Sequence, residues 1–377
     1  MARKLKSDKF LFTAMLLLVC TSVVMVYSAS AVVLAQKGQS PYLLLFKQGT
    51  FALIGLFLVQ VIMRIDYRNY RQPVVIWTGL VVVGLALVAV LFGRPVNGAT
   101  RWLNIGPLGI QPSELAKVVV IFFTAALLER RMERIDEPGY ALLPIGAVLG
   151  GIILLVLIEP DLGTAVSIAM IAGVMIFAAG INYRYVAALG TMAVAALYLL
   201  LQIQEYRWRR IEAFLDPWAN PREESYQMIQ SMIAVGVGGL FGRGLMDGMQ
   251  KLFYLPEPHN DFIYAVLSEE LGLIGATVIL GCFCVITWRG LRTAVRAPDR
   301  FGAFLALGLT TMVAFQAFFN ISVVLGLLPT KGIPLPFVSY GGSSLLINLV
   351  GIGILLNVSQ HASTSHVVTT TLPTADA

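Results

Sequence analysis

The stretch FLFTAMLLLVCTSVVMVYSASAVVLAQ, Phe10–Gln36, contains no charged residue. A membrane-spanning helix needs about 20 mostly apolar residues, and this run exceeds that. It is longer than the apolar core of a secretory leader and no small-residue cleavage site closes it, so it reads as an anchor that stays in the bilayer. Working outward, similar stretches follow at Leu43–Met63, Pro73–Phe92, Ser113–Leu128, Tyr140–Ile158, Leu162–Gly180, Tyr185–Gln202, Phe262–Trp288, Phe301–Leu328 and Ser343–Val358. Lys47 interrupts the second and snorkels from its end. The fold class expected is an all-α polytopic membrane protein of about ten transmembrane helices.

Composition agrees. Of 377 residues, 57% are hydrophobic and 13% charged, against about 45–50% and 25% in soluble domains. These values exclude an ordinary soluble enzyme, a disordered chain and a coiled coil. The net charge of +6 does not point to nucleic acid, because a membrane protein carries its basic excess on cytoplasmic loops. Cys20, Cys282 and Cys284 all lie in apolar stretches and imply neither a disulfide framework nor a metal site.

With the N-terminus inside, the inner segments hold Arg3, Lys4, Lys6 and Lys9, then Arg64, Arg68 and Arg71, then Arg130, Arg131 and Arg134, then Arg184, then Arg289, Arg292, Arg296 and Arg300. Short outer loops are sparse in basic residues. The positive-inside rule then puts both termini in the cytoplasm. Residues 1–9 form a cytoplasmic N-terminus. Residues 10–360 form the membrane domain, with a large extracytoplasmic loop over 203–261. The Ser- and Thr-rich residues 361–377 read as a disordered cytoplasmic tail.

Polar residues concentrate in three outer segments. Gly93–Lys117 is turn-rich, and Pro112-Ser113 then opens a helix. Glu114 and Lys117 share a helix face and can pair; Arg101, Trp102 and Lys117 either line an outer site or form an end salt bridge with an aromatic anchor. In the long loop, Arg207, Arg209 and Arg210 are bracketed by Tyr206, Trp208 and Trp218, a strip suited to lipid headgroups or a pyrophosphate and equally to interfacial anchoring. A short amphipathic or re-entrant helix carries Met228, Ile229, Met232 and Ile233 on one face. The loop ends at Asp261, read either as an N-cap or as a general base. Glu257, His259 and Asp261 alternate, so an extended chain would gather them on one side for a divalent cation. Glu269 and Glu270 lie about 12–14 Å further along the helix; acids at membrane depth are functional candidates, with a buried structural pair as the alternative.

The third segment, LPTKGIPLPFVSYGGSS over Leu328–Ser344, is irregular backbone that needs a protein-lined or wet cavity. Lys331, Ser339, Ser343 and the free N–H groups of Gly341-Gly342 offer an anion site, or simply a capped turn. Glu159 and Asp161 sit in the tight turn before the sixth span, where Asp161 is a helix cap or part of a positioning pair. No GxxxxGK[ST] phosphate loop occurs, which argues against nucleotide hydrolysis.

The stretches RWLNIGPLGIQPSELAK, EPDLGTA, FLDPWANPREESYQMIQSMIAVGVGGLFGRG, KLFYLPEPHNDFIYAVLSEELGLIG and LPTKGIPLPFVSYGGSSLL resemble the SEDS family (shape, elongation, division and sporulation) from about residue 10 to residue 360. DPW, QKLFYLPE and PTKG are closest to its septal branch; GIPLPFVSYGG is shared with the elongation branch, and a sporulation paralogue stays open. The resemblance implies a peptidoglycan glycosyltransferase that polymerises lipid II, the undecaprenyl-diphosphate-linked disaccharide peptide. It places the family's catalytic aspartate on Asp261 and its RWL tryptophan on Trp102. Asn260 and Tyr264 depart from the commoner Thr and Phe without removing the acid. Arg101, Lys117, Arg210 and Lys331 are the bases expected to neutralise the leaving diphosphate, a role a divalent cation can share. The resemblance implies a class B penicillin-binding transpeptidase and other division membrane proteins as partners. Competing readings are a lipid II flippase, a non-enzymatic division scaffold and an elongation-type polymerase.

Overall fold

A computed structural model describes residues 7–361 apart from 94–99, 106–107, 136, 138, 141, 203–204, 220, 222–224, 253 and 257. Its helices are α1 (Lys9–Gln36), α2 (Leu43–Ile62), α3 (Pro73–Leu91), α4 (Pro112–Arg131), α5 (Leu142–Ile158), α6 (Leu162–Ala178), α7 (Tyr183–Gln202), α8 (Glu205–Leu215), α9 (Tyr226–Gly238), α10 (Ile263–Val295), α11 (Arg300–Val324) and α12 (Gly342–His361). All the expected spans are present as helices; α8 and α9 lie in the long loop. Among the described residues, seven helices are long and apolar enough to cross a bilayer by length and composition.

Span ends follow local chemistry. Asp8 opens α1 by accepting from the N–H groups of Phe10 and Leu11, and Asp299 opens α11 by accepting from that of Gly302. Pro73 and Pro112 open α3 and α4, where the missing N–H costs nothing. Helix α4, which carries Glu114 and Lys117, packs against α3, α6 and α11, and most of its length is buried. Protein rather than lipid therefore surrounds its polar groups. One departure from the all-α expectation is a small antiparallel hairpin, β1 (Leu103–Ile105) with β2 (Leu108–Ile110), in register Leu103↔Ile110. It delivers the chain from α3 to the start of α4.

Two buried polar levels give the bundle a scale. At one end Asp8 pairs with Arg289 at 2.5 Å, and Asp299 accepts from Tyr67 and Arg68. His361 of α12 also stacks edge-on against Tyr67, so both ends of the described chain lie at this end. At the other level Ser28 donates to Glu270, which pairs with Lys251 at 2.6 Å. Asp8 and Ser28 are about 30 Å apart along α1 at 1.5 Å per residue. That spacing is the thickness of a bilayer hydrocarbon core. Glu270, bonded to Ser28, thus stands about 30 Å from the Asp8–Arg289 level, a spacing equal to the hydrocarbon thickness.

The task of Glu269 and Glu270 is structural. After α9 the chain turns back against α10. Arg243 and Gly244 donate their N–H groups to the carbonyls of Glu269 and Glu270, and Leu273 and Ile274 donate to Gly239 and Leu240. The carboxylate of Glu269 takes the N–H groups of Met249 and Gln250, and that of Glu270 takes Met246. Close approach requires glycine: Gly272 has φ 68° and ψ −169°, and a Cβ there would strike the backbone of Gly242. The pattern satisfies irregular backbone at the membrane edge from within the protein. Glu270→Ala leaves Lys251 buried without its partner and is expected to cost about 3–5 kcal/mol. Thermal unfolding of the detergent-solubilised variant checks this; an unchanged melting temperature would refute the clamp.

Candidate active site

Asp261 lies in the turn just before α10. The cap position of that helix is Phe262, whose side chain makes no capping bond. With Asn260, Asp261 lines a cleft of about 350 Å³.

Two crossing segments fix the turn. Asn320 of α11 donates from Nδ2 to the carbonyls of both Asp261 and Ile333, each at 2.8 Å. The strap over 329–341 adds two more bonds: Ser339 Oγ donates to the Asn260 carbonyl at 2.7 Å, and the Tyr340 N–H donates to the His259 carbonyl at 2.9 Å. Gly332 lies against the carboxylate itself. A Cβ at that position would sit 2.8 Å from Asp261 Oδ2. Glycine here has a steric reason.

The cleft draws on most of the bundle. Arg101, Trp102 and Gly109 come from the hairpin region, Gln111 and Glu114 from the start of α4, and Asp161, Thr164 and Ser167 from α6. Gln316 comes from α11, Lys47 and Phe51 from α2, and Gly341, Gly342 and Ser344 from the start of α12. Asp161 takes the Thr164 N–H and hydroxyl and the Gln111 amide. It caps α6 and lines the site at once.

The structure sorts the residues expected from sequence. Asp261, Arg101, Trp102 and Glu114 meet in the cleft. Lys117 is buried and bonded to Glu114 Oε1 at 2.8 Å; Glu114 Oε2 is buried without a protein partner. Lys117 thus serves Glu114 and does not itself line the cleft. Arg210 donates to the Thr330 carbonyl at 3.2 Å, bracing the strap, and Lys331 precedes Gly332 without joining the lining. Ser339 is spent on the strap, accepting from the Leu335 N–H as it donates to Asn260. Ser343 is buried beside the cleft, its neighbours Gly342 and Ser344 lining it. His259 packs its ring against Tyr340. Glu257 lies outside the described residues, so the proposed trio with His259 and Asp261 does too. Among the described residues no group of three or more His, Cys, Asp or Glu is arranged to hold a metal ion.

Sequence reasoning missed Lys47, Gln111 and Gln316 as site residues. Gln316 and Asn320 are four apart in an apolar span, and that spacing on one helix face was a usable signal.

Glu159 is fully buried, and neither carboxylate oxygen has a protein partner. Arg101 donates to its backbone carbonyl and to that of Pro160. Burial, reinforced by the nearby Asp161 and opposed by Arg101, pushes the Glu159 carboxyl up to about 8. Burial therefore favours its neutral form at neutral pH.

Comparison with known proteins matches this architecture. Residues 8–364 match the FtsW–RodA–SpoVE family of cell cycle proteins. The chain is 45% identical over 343 residues to the probable peptidoglycan glycosyltransferase FtsW of Geobacter sulfurreducens, covering 91% of this chain and 92% of that protein. It is 42% identical over 365 residues to stage V sporulation protein E of Bacillus subtilis, covering 96% and 99%. Among solved structures, a chain of a peptidoglycan synthase complex that coordinates polymerization and crosslinking superposes with a TM-score of 0.78 at 27% identity, covering 95% of this chain and 99% of that one. The rod shape determining protein RodA of Thermus thermophilus gives 0.69 at 27% identity, covering 94% and 96%. The chain belongs to the FtsW–RodA–SpoVE family, and it is an integral membrane protein.

The Glu159 shift carries a sign. Its folded-state value, about 8, lies above the reference 4.5, so the folded protein binds this proton more tightly than the unfolded chain. The stabilising contribution is complete below about 4.5 and is lost as pH rises toward 8. Glu159→Gln is therefore expected to melt near the parent at pH 5 and progressively above it toward pH 9, in detergent. A constant difference across that range would refute the assignment.

Proposed function

We propose that the chain polymerises lipid II into β-1,4-linked glycan at the outer face of the cytoplasmic membrane, during septal wall synthesis, with Asp261 as general base. The observation that carries this reading is the Asp261 carboxylate in a polar cleft, on a turn whose backbone is pinned by Asn320 and the strap. The names of the relatives support it. The end bearing Arg68, Arg71, Arg131 and Arg289 faces the cytoplasm under this reading, in keeping with the positive-inside rule. The cleft then faces outward, where a lipid-linked diphosphate is the donor chemistry at hand.

Asp261 takes the proton from the 4-hydroxyl of the acceptor's N-acetylglucosamine. That oxygen attacks the anomeric carbon of the donor's N-acetylmuramic acid from the face opposite the diphosphate, and undecaprenyl diphosphate leaves with inversion. A base must be held within hydrogen-bond reach of its hydroxyl. The Asn320 and strap bonds hold the Asp261 backbone, and Gly332 keeps the space beside Oδ2 open. Arg101 lines the cleft while anchored on two neutral carbonyls, so its charge remains available to the leaving group. The buried Glu114 oxygen and the Gln316 amide are suited to accept from sugar hydroxyl or amide groups. A class B transpeptidase that cross-links the emerging strand is the partner this activity calls for.

Purified protein, with and without its transpeptidase, is incubated with labelled lipid II. Wild type is expected to yield polymer and Asp261→Asn none, with melting temperature retained. Scrambling of lipid II in vesicles without polymer would replace this reading with a flippase. Gly332→Ala is expected to reduce polymerisation about 10- to 100-fold by displacing the carboxylate. Full activity in this variant would show that the carboxylate position is not critical.

A further inference from the structure

Of the basic residues expected to meet a diphosphate, Lys117 is paired with Glu114 and Arg210 is bonded to the strap carbonyl, while Arg101 lines the cleft on two carbonyls and keeps its charge. Lys47 lines the same cleft, is exposed, and among the described residues makes no hydrogen bond or ion pair.

Its location is specific. The next residue, Gln48, is buried and donates to Ser22 Oγ at 2.6 Å and to the Ser339 carbonyl. Ser22 is about 21 Å from Asp8 along α1, so this level is inside the outer leaflet, about 9 Å short of the Glu270 level. Lys47 shares a heptad-spaced stripe of α2 with Ile54 and Val61, both exposed toward the lipid side. The residue before it, Phe46, is 71% exposed. Lys47 therefore occupies the border between the lipid-facing wall of α2 and the cleft. A bare ammonium at that depth is costly unless its four-carbon stem carries it to the interface or an anion meets it. Beside it the chain enters α12 through Gly341, Gly342 and Ser344, all on the cleft wall. On other walls of the cleft lie acceptor atoms, Gln316 Oε1 and Glu114 Oε2, buried without protein partners. The cleft thus carries a cation on its membrane side and bare acceptors elsewhere, a polarity matched to a molecule with an anionic lipid-proximal part and a hydroxyl-bearing head.

We infer that Lys47 receives the diphosphate of the lipid-linked donor at the membrane-side mouth of the cleft. This rests on the lipid-diphosphate polymerase reading above and adds the residue that selects the diphosphate. Ordinary phospholipid offers the same phosphate chemistry, so the test must separate the two.

Full-length protein carrying Asp261→Asn, which blocks turnover, is placed in phosphatidylcholine nanodiscs and titrated with undecaprenyl diphosphate, undecaprenyl monophosphate and phosphatidylglycerol. The Lys47→Met and Lys47→Arg variants are compared on that background. Undecaprenyl diphosphate is expected to bind more tightly than the monophosphate. Lys47→Met is expected to weaken it about 10- to 100-fold, the loss typical of a charge-assisted contact, and Lys47→Arg to restore most of it. In the otherwise wild-type enzyme Lys47→Met is expected to raise KM for lipid II more than it lowers kcat. Unchanged diphosphate affinity in a monodisperse Lys47→Met protein overturns the inference, as does an effect confined to phosphatidylglycerol; if wild type still polymerises lipid II, the functional reading survives. Absence of polymer from wild type overturns the functional reading, and this inference with it.

Discussion

Backbone that leaves a helix at a membrane must find its hydrogen-bond partners within the protein, because the hydrocarbon supplies none. That constraint organises the outer half of this molecule. Two irregular segments are folded back onto helices, and each is secured by side chains of the helix it meets. The chain after α9 is secured by the carboxylates and carbonyls of Glu269 and Glu270. The strap before α12 and the turn bearing Asp261 are stitched together by the amide of Asn320 and by the Ser339 and Tyr340 bonds to Asn260 and His259. Acids that looked functional are thus the scaffold, and an amide that looked like one polar residue in an apolar helix positions the proposed base.

The same logic explains how charge is distributed. Lys117 and Glu114 form a bonded pair in a fully packed helix, which orients one carboxylate oxygen and leaves little net field. Arg101 is different. Its neighbour Glu159 is favoured in its neutral form by burial, so the guanidinium rests on carbonyl oxygens and is not neutralised by that carboxylate. A cleft meant to attract a multiply charged anion benefits from cations held in place by neutral groups, since a carboxylate partner would cancel the field that the ligand needs.

What was legible in the sequence follows from how local the cause is. The membrane spans were, because a run such as Phe10–Gln36 states its environment residue by residue. The start of α4 was legible at Pro112, and the pairing of Glu114 with Lys117 needed only helical spacing. The motif around Asp261 marked the acid through family resemblance. The hairpin was not foreseen, because three-residue strands separated by Gly106-Pro107 carry too little alternation to register. The roles of Glu269 and Glu270 depend on Ser28, which is 242 residues away from Glu270, and no local pattern encodes such a meeting. Ser339 looked available and is not, since its hydroxyl closes a loop across 79 residues to Asn260. Lys47 was visible only as an interruption in an apolar span; its significance arises once α12 is packed on α2.

The fold also bears on why the proposed base is an aspartate in a turn and not a residue within α10. A carboxylate in the first turn of a helix is drawn to the free N–H groups there, which lower its basicity as they bind it. Asp261 stands one residue before the cap position, and no side chain occupies that capping role. Its backbone is pinned by Asn320, and its side chain lines the cleft beside Gly332. Rigidity comes from the main chain and chemistry is reserved for the carboxylate.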